Sequence, residues 1–135
     1  KLFNKNNFNK KIFIKGSRIE KIKNHWSYLD IFFSYALTVL TSTLFRKNLY
    51  DIHGMPVLFS KRLLKGLNYF PNDFSIDLAL YVYAKRNNYK IIRFPVNFNK
   101  KKRKYGEGSS DNIKKKIKVS LEQLYQSLII LFKLN

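Results

Sequence analysis

Five side chains stand where chemistry could be done. Asp51 is the acidic residue of Asp51-Ile52-His53-Gly54-Met55-Pro56, a stretch in which Gly54 and Pro56 forbid regular helix and force a loop. A carboxylate held there can take a proton from a reacting hydroxyl, or it can close the turn by bonding nearby backbone; the residues alone leave both readings open. Asp77 opens a helix and carries the same ambiguity, as a second proton acceptor or as a first-turn acid that the helix dipole favours. Arg18 and Arg103 stand close to Gly16 and Gly106. A guanidinium makes two parallel hydrogen bonds to a phosphate, and a neighbouring glycine lets backbone NH groups approach it. Arg103 also lies among Lys100, Lys101, Lys102 and Lys104, so a solvated basic run is its alternative. Ser109, or Ser110 beside it, can add a hydroxyl donor. Metal chemistry finds no footing: His25 and His53 have no ligand partners at metal-binding spacing, cysteine is absent, and no Asp-x-Asp occurs. His53 is read as a hydrogen-bonding loop residue.

The elements that must position these groups are marked by periodicity and punctuation. Ile12 and Ile14 alternate within Lys11 to Lys15, which predicts a short strand running into the loop Gly16-Ser17-Arg18. Tyr28 to Phe45 reads as an apolar helix whose Asp30, Ser34, Thr38 and Thr41 or Ser42 form one narrow polar stripe. A bilayer span needs roughly 20 mostly apolar residues, so a buried or interfacial helix is expected, with core packing and membrane contact both open. Val57-Leu58-Phe59 and a short helix at Lys61 to Lys65 follow the Asp51 loop. Pro71-Asn72-Asp73 makes a turn, Ser75 is the expected N-cap, and the helix Ile76 to Arg86 is expected to bury Ile76, Leu80 and Tyr83. Alternation of Ile92, Phe94, Val96 and Phe98 with Arg93, Pro95 and Asn97 predicts a strand, and Pro95 puts it at an edge. Ile113, Ile117, Leu121, Leu124, Leu128 and Leu131 recur every three or four positions, so the chain ends in an amphipathic helix.

At 135 residues with 45% hydrophobic content the chain can build one modest core, and nothing suggests two independent domains. The net charge of +19 points to an anionic partner, although a Lys- and Asn-rich composition of the kind AT-rich genomes encode accounts for such charge equally well. Basic residues crowd two stretches, Lys1 to Lys23 and Lys100 to Lys118, and the lysines taken singly are read as solvated. Absence of cysteine excludes disulfides and is compatible with a cytoplasmic setting. The opening residues lack the continuous apolar run of a signal peptide. Since the only methionine is Met55, the polypeptide is expected to start upstream of Lys1.

Four segments, in order, resemble family 2 glycosyltransferases of the GT-A fold, and within them the branch of polyprenyl-phosphate sugar transferases that includes dolichyl-phosphate mannose synthase. They are Lys15-Gly16-Ser17-Arg18; Asp51-Ile52-His53-Gly54-Met55-Pro56 with Leu58-Phe59-Ser60-Lys61; Phe74-Ser75-Ile76-Asp77-Leu78; and Asn88-Tyr89-Lys90-Ile91 leading through Phe94-Pro95-Val96 to Arg103-Lys104-Tyr105-Gly106-Glu107-Gly108-Ser109. The match runs from about Ile12 to Ser110 and departs from the family at Val57, where Lys is frequent, and at Asn88, where Gly is frequent.

The resemblance implies an α/β fold: the C-terminal, acceptor-side portion of an incomplete, Rossmann-like GT-A domain over residues 1–112, with mixed-sheet edge strands. Residues 113–135 would form a terminal amphipathic helix at a membrane. It implies attack by an acceptor oxygen on the anomeric carbon of a nucleotide-sugar donor. Asp51 is then the first choice as catalytic base and Asp77 the second, with Arg18, Arg103 and Ser109 binding the acceptor phosphate. For a polyprenyl phosphate acceptor, already ionised near neutrality, Asp51 would orient groups instead. The divalent metal, Mg or Mn, and the nucleotide site belong to the family's upstream half, so the 135 residues by themselves are expected to be inactive. The implied setting is the cytoplasmic face of a membrane and cell-envelope polysaccharide synthesis, with a lipid-phosphate or glycan acceptor. Two rivals are a basic peripheral-membrane module without catalysis and a nucleic-acid-binding domain, the latter set aside because no helix-turn-helix, zinc finger or aromatic RNA-binding signature is present.

Overall fold

The computed structural model describes residues 11–18, 27–69, 71–73, 75–97 and 112–134. Element order is β1 (Ile12–Arg18), α1 (Tyr28–Phe45), β2 (Val57–Phe59), α2 (Lys61–Lys65), α3 (Ile76–Arg86), β3 (Lys90–Val96) and α4 (Ile113–Lys133). The three strands form one mixed sheet in the order β2-β1-β3, giving a mixed α/β fold. β1 is central, antiparallel to β2 with Phe13 opposite Phe59, and parallel to β3 with Gly16 opposite Phe94 and Arg18 opposite Val96. Pro95 sits on the edge strand, where its missing NH costs no ladder bond.

Local chemistry sets the helix ends. At the start of α1 the Ser27 hydroxyl accepts from the Asp30 NH at 3.1 Å and the Asp30 carboxylate accepts from the Ser27 NH at 3.3 Å, a reciprocal cap that satisfies two donors the first turn leaves open. The helix stops at Arg46, which turns left-handed with φ 51°. α3 ends through Asn88, left-handed at φ 57°, with the Tyr89 NH reaching back to the Ala84 carbonyl at 2.9 Å. Asn and Gly are the residues that take this conformation most readily, which explains why Asn88 can close the helix there.

The core lies between the sheet and α3. The Phe13 ring stacks with Phe59 and with Tyr81, each at 5.9 Å between centroids, and Leu49, Leu63, Val82 and Ile130 close around them. Burying Phe13 in this stack contributes about 2 kcal/mol from area and about 1 kcal/mol more from ring geometry.

Several elements differ from what local sequence predicts. β1 continues through Gly16, Ser17 and Arg18 instead of breaking into a loop, because β3 pairs with all three. The Ser75 side chain caps nothing; its NH is bonded by the Asp73 carboxylate at 2.8 Å, so the turn before α3 is closed from Asp73. Within α3, Ile76 and Tyr83 are only half-buried while Leu78, Ala79, Leu80, Tyr81, Val82 and Ala84 are buried, so a helix expected to hide one stripe is enclosed on most sides. Most of the apolar stripe of α4 points outward: Ile113, Ile117, Leu121 and Leu128 are exposed, Leu124 and Leu131 are half-buried, and the buried residues are Ser127 and Ile130. Along α1 only Asp30, Thr41 and Phe45 are buried, so it is not a core helix. Lys15, grouped with the solvated lysines, is wholly buried.

Candidate functional site

Two of the glycine-bearing segments meet face to face. The Gly16 NH donates to the Pro56 carbonyl at 2.9 Å, and the backbones approach so closely that side chains would collide. A Cβ on Gly16 would lie 2.2 Å from the Met55 carbonyl oxygen, and one on Gly54 would lie 2.1 Å from the Gly16 oxygen. The loop from Asp51 to Pro56 is therefore laid directly on the end of β1, with the Met55–Pro56 peptide cis.

That contact places Asp51 against Arg18. One Asp51 carboxylate oxygen accepts from the Arg18 backbone NH at 2.7 Å, and the other accepts from Nε at 2.7 Å and from Nη2. The Asp51 side chain is completely enclosed, and that of Arg18 keeps a partial opening to solvent. Asp51 itself is left-handed at φ 44°, a conformation that a short polar side chain tolerates and that this bidentate pair holds in place.

Beneath the loop runs Lys15. Its ammonium donates to the carbonyls of Ile52 at 2.5 Å and Gly54 at 3.1 Å and sits 5.5 Å from the centre of the Tyr81 ring. Burial pushes the Lys15 ammonium down from 10.5 to about 8; the carboxylates of Asp77 and Asp51 pull it back up, and Arg93 and Arg18 add to the lowering. Arg93 lies over the Tyr81 ring at 5.5 Å and the Tyr50 ring at 5.1 Å, and its Nη2 donates to the Tyr81 hydroxyl at 2.5 Å and the Tyr50 carbonyl at 2.6 Å. Three cations and two carboxylates thus share one electrostatic neighbourhood.

Above the loop opens a cleft of about 280 Å³, bordered by Arg18, His53, Met55, Val96 and Asn97. His53 links it to Asp77: its Nδ1 lies 3.8 Å from the Asp77 carboxylate, and its Nε2 is 3.2 Å from the side-chain amide of Gln123 on α4. Of the residues singled out from sequence, the fold brings Arg18 to the cleft, buries Asp51 directly behind it and places Asp77 one side chain away. Arg103 and Ser109 lie outside the described residues. Among the described residues no three His, Cys, Asp or Glu side chains cluster.

Three contributors escaped the sequence reading. Lys15 precedes Gly16 in a strand buried over Phe13, Ile14 and Gly16, and that position was its only signal. Arg93 alternates with Ile92 and Phe94, which marked the strand but not that its guanidinium turns back onto two tyrosines. Gln123 carried no signal at all, since its contact with His53 spans 70 positions. Compared with models of known protein families, with curated proteins and with solved structures, the chain gives no match.

Proposed function

We propose that this chain is the acceptor side of a nucleotide-sugar glycosyltransferase of the family 2, GT-A type, acting on a polyprenyl phosphate or another acceptor held at the cytoplasmic face of a membrane. The observation that carries the reading is the meeting of Lys15-Gly16-Ser17-Arg18 with Asp51-Ile52-His53-Gly54-Met55-Pro56 at one cleft, with Asp77 behind His53. These are segments on which the resemblance rests, and they are far apart in sequence.

In this reading Arg18 provides the positive wall against which an acceptor phosphate docks. Asp51, with both oxygens bonded to Arg18, positions that guanidinium and is not the group that takes a proton. For a hydroxyl acceptor the base is Asp77, whose carboxylate His53 links to the cleft. The acceptor oxygen forms its bond to the anomeric carbon as the bond to the nucleoside diphosphate breaks, and the donor is bound by the upstream half of the family's domain. Arg103 and Ser109 are assigned to the same phosphate by resemblance.

The test is transfer of labelled sugar into lipid extract by the polypeptide that joins this chain to its nucleotide-binding half. Arg18→Ala and Asp77→Asn are expected to lower kcat/KM by about 100-fold each. A parallel titration of the chain with a short isoprenyl phosphate should perturb the NMR signals of Arg18, His53 and Asn97. No sugar transfer from any nucleotide donor, together with no perturbation at those three residues, would sink the reading.

A further inference from the structure

Among the described residues, the outward faces of α1 and α4 have no counterpart inside the fold. α1 is long and apolar enough, by length and composition, to cross a bilayer, yet it lies against the domain. Thr41 and Phe45 are buried in the protein, the Ser42 hydroxyl bonds both the NH and the carbonyl of Leu49, and the Asp30 carboxylate pairs with Lys116 of α4 at 2.9 Å. On the opposite side Tyr28, Phe32, Tyr35 and Val39 recur at helical spacing and are exposed, Tyr28 by 80% and Tyr35 by 70%. α4 continues the pattern with Ile117, Leu121, Tyr125, Leu128 and Phe132, all exposed. Several of these outward side chains are tyrosines, whose apolar ring and polar tip suit the boundary between acyl chain and headgroup.

The charge beside this surface decides among occupants. Lys114, Lys115 and Lys118 are exposed on the first half of α4, Lys133 on its end and Arg46 at the end of α1. The acids on the two helices are Asp30, paired with Lys116, and Glu122, 4.0 Å from Lys118. A second copy would bring another chain of net charge +19 against the same basic rim, which opposes association. An anionic bilayer meets both features, with headgroups for the lysines and acyl chains for the apolar stripes.

We infer that the outer faces of α1 and α4 form an in-plane docking surface for an anionic lipid membrane, with α1 lying in the interface instead of spanning it. Spanning would pull Phe45 from the core and separate Asp30 from Lys116. The inference stands on these two helices and does not depend on the transferase reading.

Co-sedimentation with vesicles of phosphatidylcholine alone, and of phosphatidylcholine mixed with phosphatidylglycerol, tests it on the full chain. Strong binding is expected only to the mixed vesicles. The pair Phe32→Asp and Leu121→Asp should weaken it by about tenfold or more, and so should Lys114→Glu, Lys115→Glu and Lys118→Glu together. All five positions are exposed, so circular dichroism should stay unchanged. The chain has no cysteine, so Tyr35→Cys accepts a single nitrobenzoxadiazole label. Reduction of all the label by dithionite added outside the vesicles fits an in-plane helix; a protected fraction means a spanning one and overturns the orientation. The proposal also fails if vesicle binding is absent, if it ignores Phe32→Asp with Leu121→Asp, or if sedimentation velocity shows a dimer that those substitutions dissociate.

Discussion

The cleft side and the helical side of this molecule treat polar and apolar groups in opposite ways. Around the cleft, charges go inside: Lys15 and Asp51 are enclosed, and they are held by backbone carbonyls and by the Arg18 guanidinium. Along α1 and α4, many apolar rings and leucines go outside, while the polar Thr41, Ser127 and Asp30 turn inward beside Phe45 and Ile130. Burying charge without compensation is costly, and exposing contiguous apolar surface is costly too, so neither arrangement is the cheapest way to make a small soluble core. Each marks a surface whose composition answers to something other than folding: a cleft held rigid by a cross-braced loop, and a face matched to a lipid interface.

Stability measurements can break that contrast. Gly54→Ala should have the largest effect, more than about 3 kcal/mol, because its Cβ would meet the Gly16 carbonyl oxygen at 2.1 Å and the Asp51 carboxylate at 2.8 Å. Urea denaturation would reveal it, and a midpoint unmoved by this substitution would mean that the loop does not lie on β1. Next comes Asp51→Asn, which leaves Arg18 partly buried beside a neutral amide and should cost about 3 kcal/mol in the same assay.

Lys15 makes the contrast depend on pH. Its folded value, about 8, lies below the unfolded 10.5, so between these limits the unfolded chain holds more protons and stability rises with pH. Below pH 8 the burial penalty is fully present, and by pH 9.5 about 2 kcal/mol of it is relieved. Lys15→Met should abolish that rise; a parallel pH slope in wild type and variant would show that the ammonium is not desolvated.

The helical side should respond less. Lys116→Met removes the partner of the buried Asp30 carboxylate at the seam between α1 and α4 and should cost about 1 kcal/mol, read as a lower thermal midpoint. Phe32→Ser, on the outer face, should change stability by less than about 0.5 kcal/mol, since an exposed ring contributes little to folding. A loss of 2 kcal/mol there would show that the ring is covered by the protein itself.

Much of this was legible before any coordinates. The spans Tyr28–Phe45, Lys61–Lys65 and Ile76–Arg86 follow from signals carried within a few residues: an apolar run with a narrow polar stripe, a Gly-Pro break and the run Pro71-Asn72-Asp73. Arg18, Asp51 and Asp77 could be singled out by residue type and by their place beside glycines, proline and a helix start. Their roles could not. That Asp51 grips Arg18 depends on two segments 33 positions apart being brought together, and the pairing of β1 with β3 is what carries Arg18 to the rim of the cleft.

Sequence by itself determined the spans of α1, α2 and α3 and that α4 has an apolar stripe, because turns and periodicity are short-range properties of the chain, whereas β1 runs on to Arg18 because β3 pairs with it. Only the tertiary structure decided that most of the stripe faces away from the core, that Lys15 is swallowed by the loop it supports, and that His53 joins Asp77 to the cleft. Periodicity says that a helix has two unlike faces; what each face meets is settled by packing between elements remote in sequence.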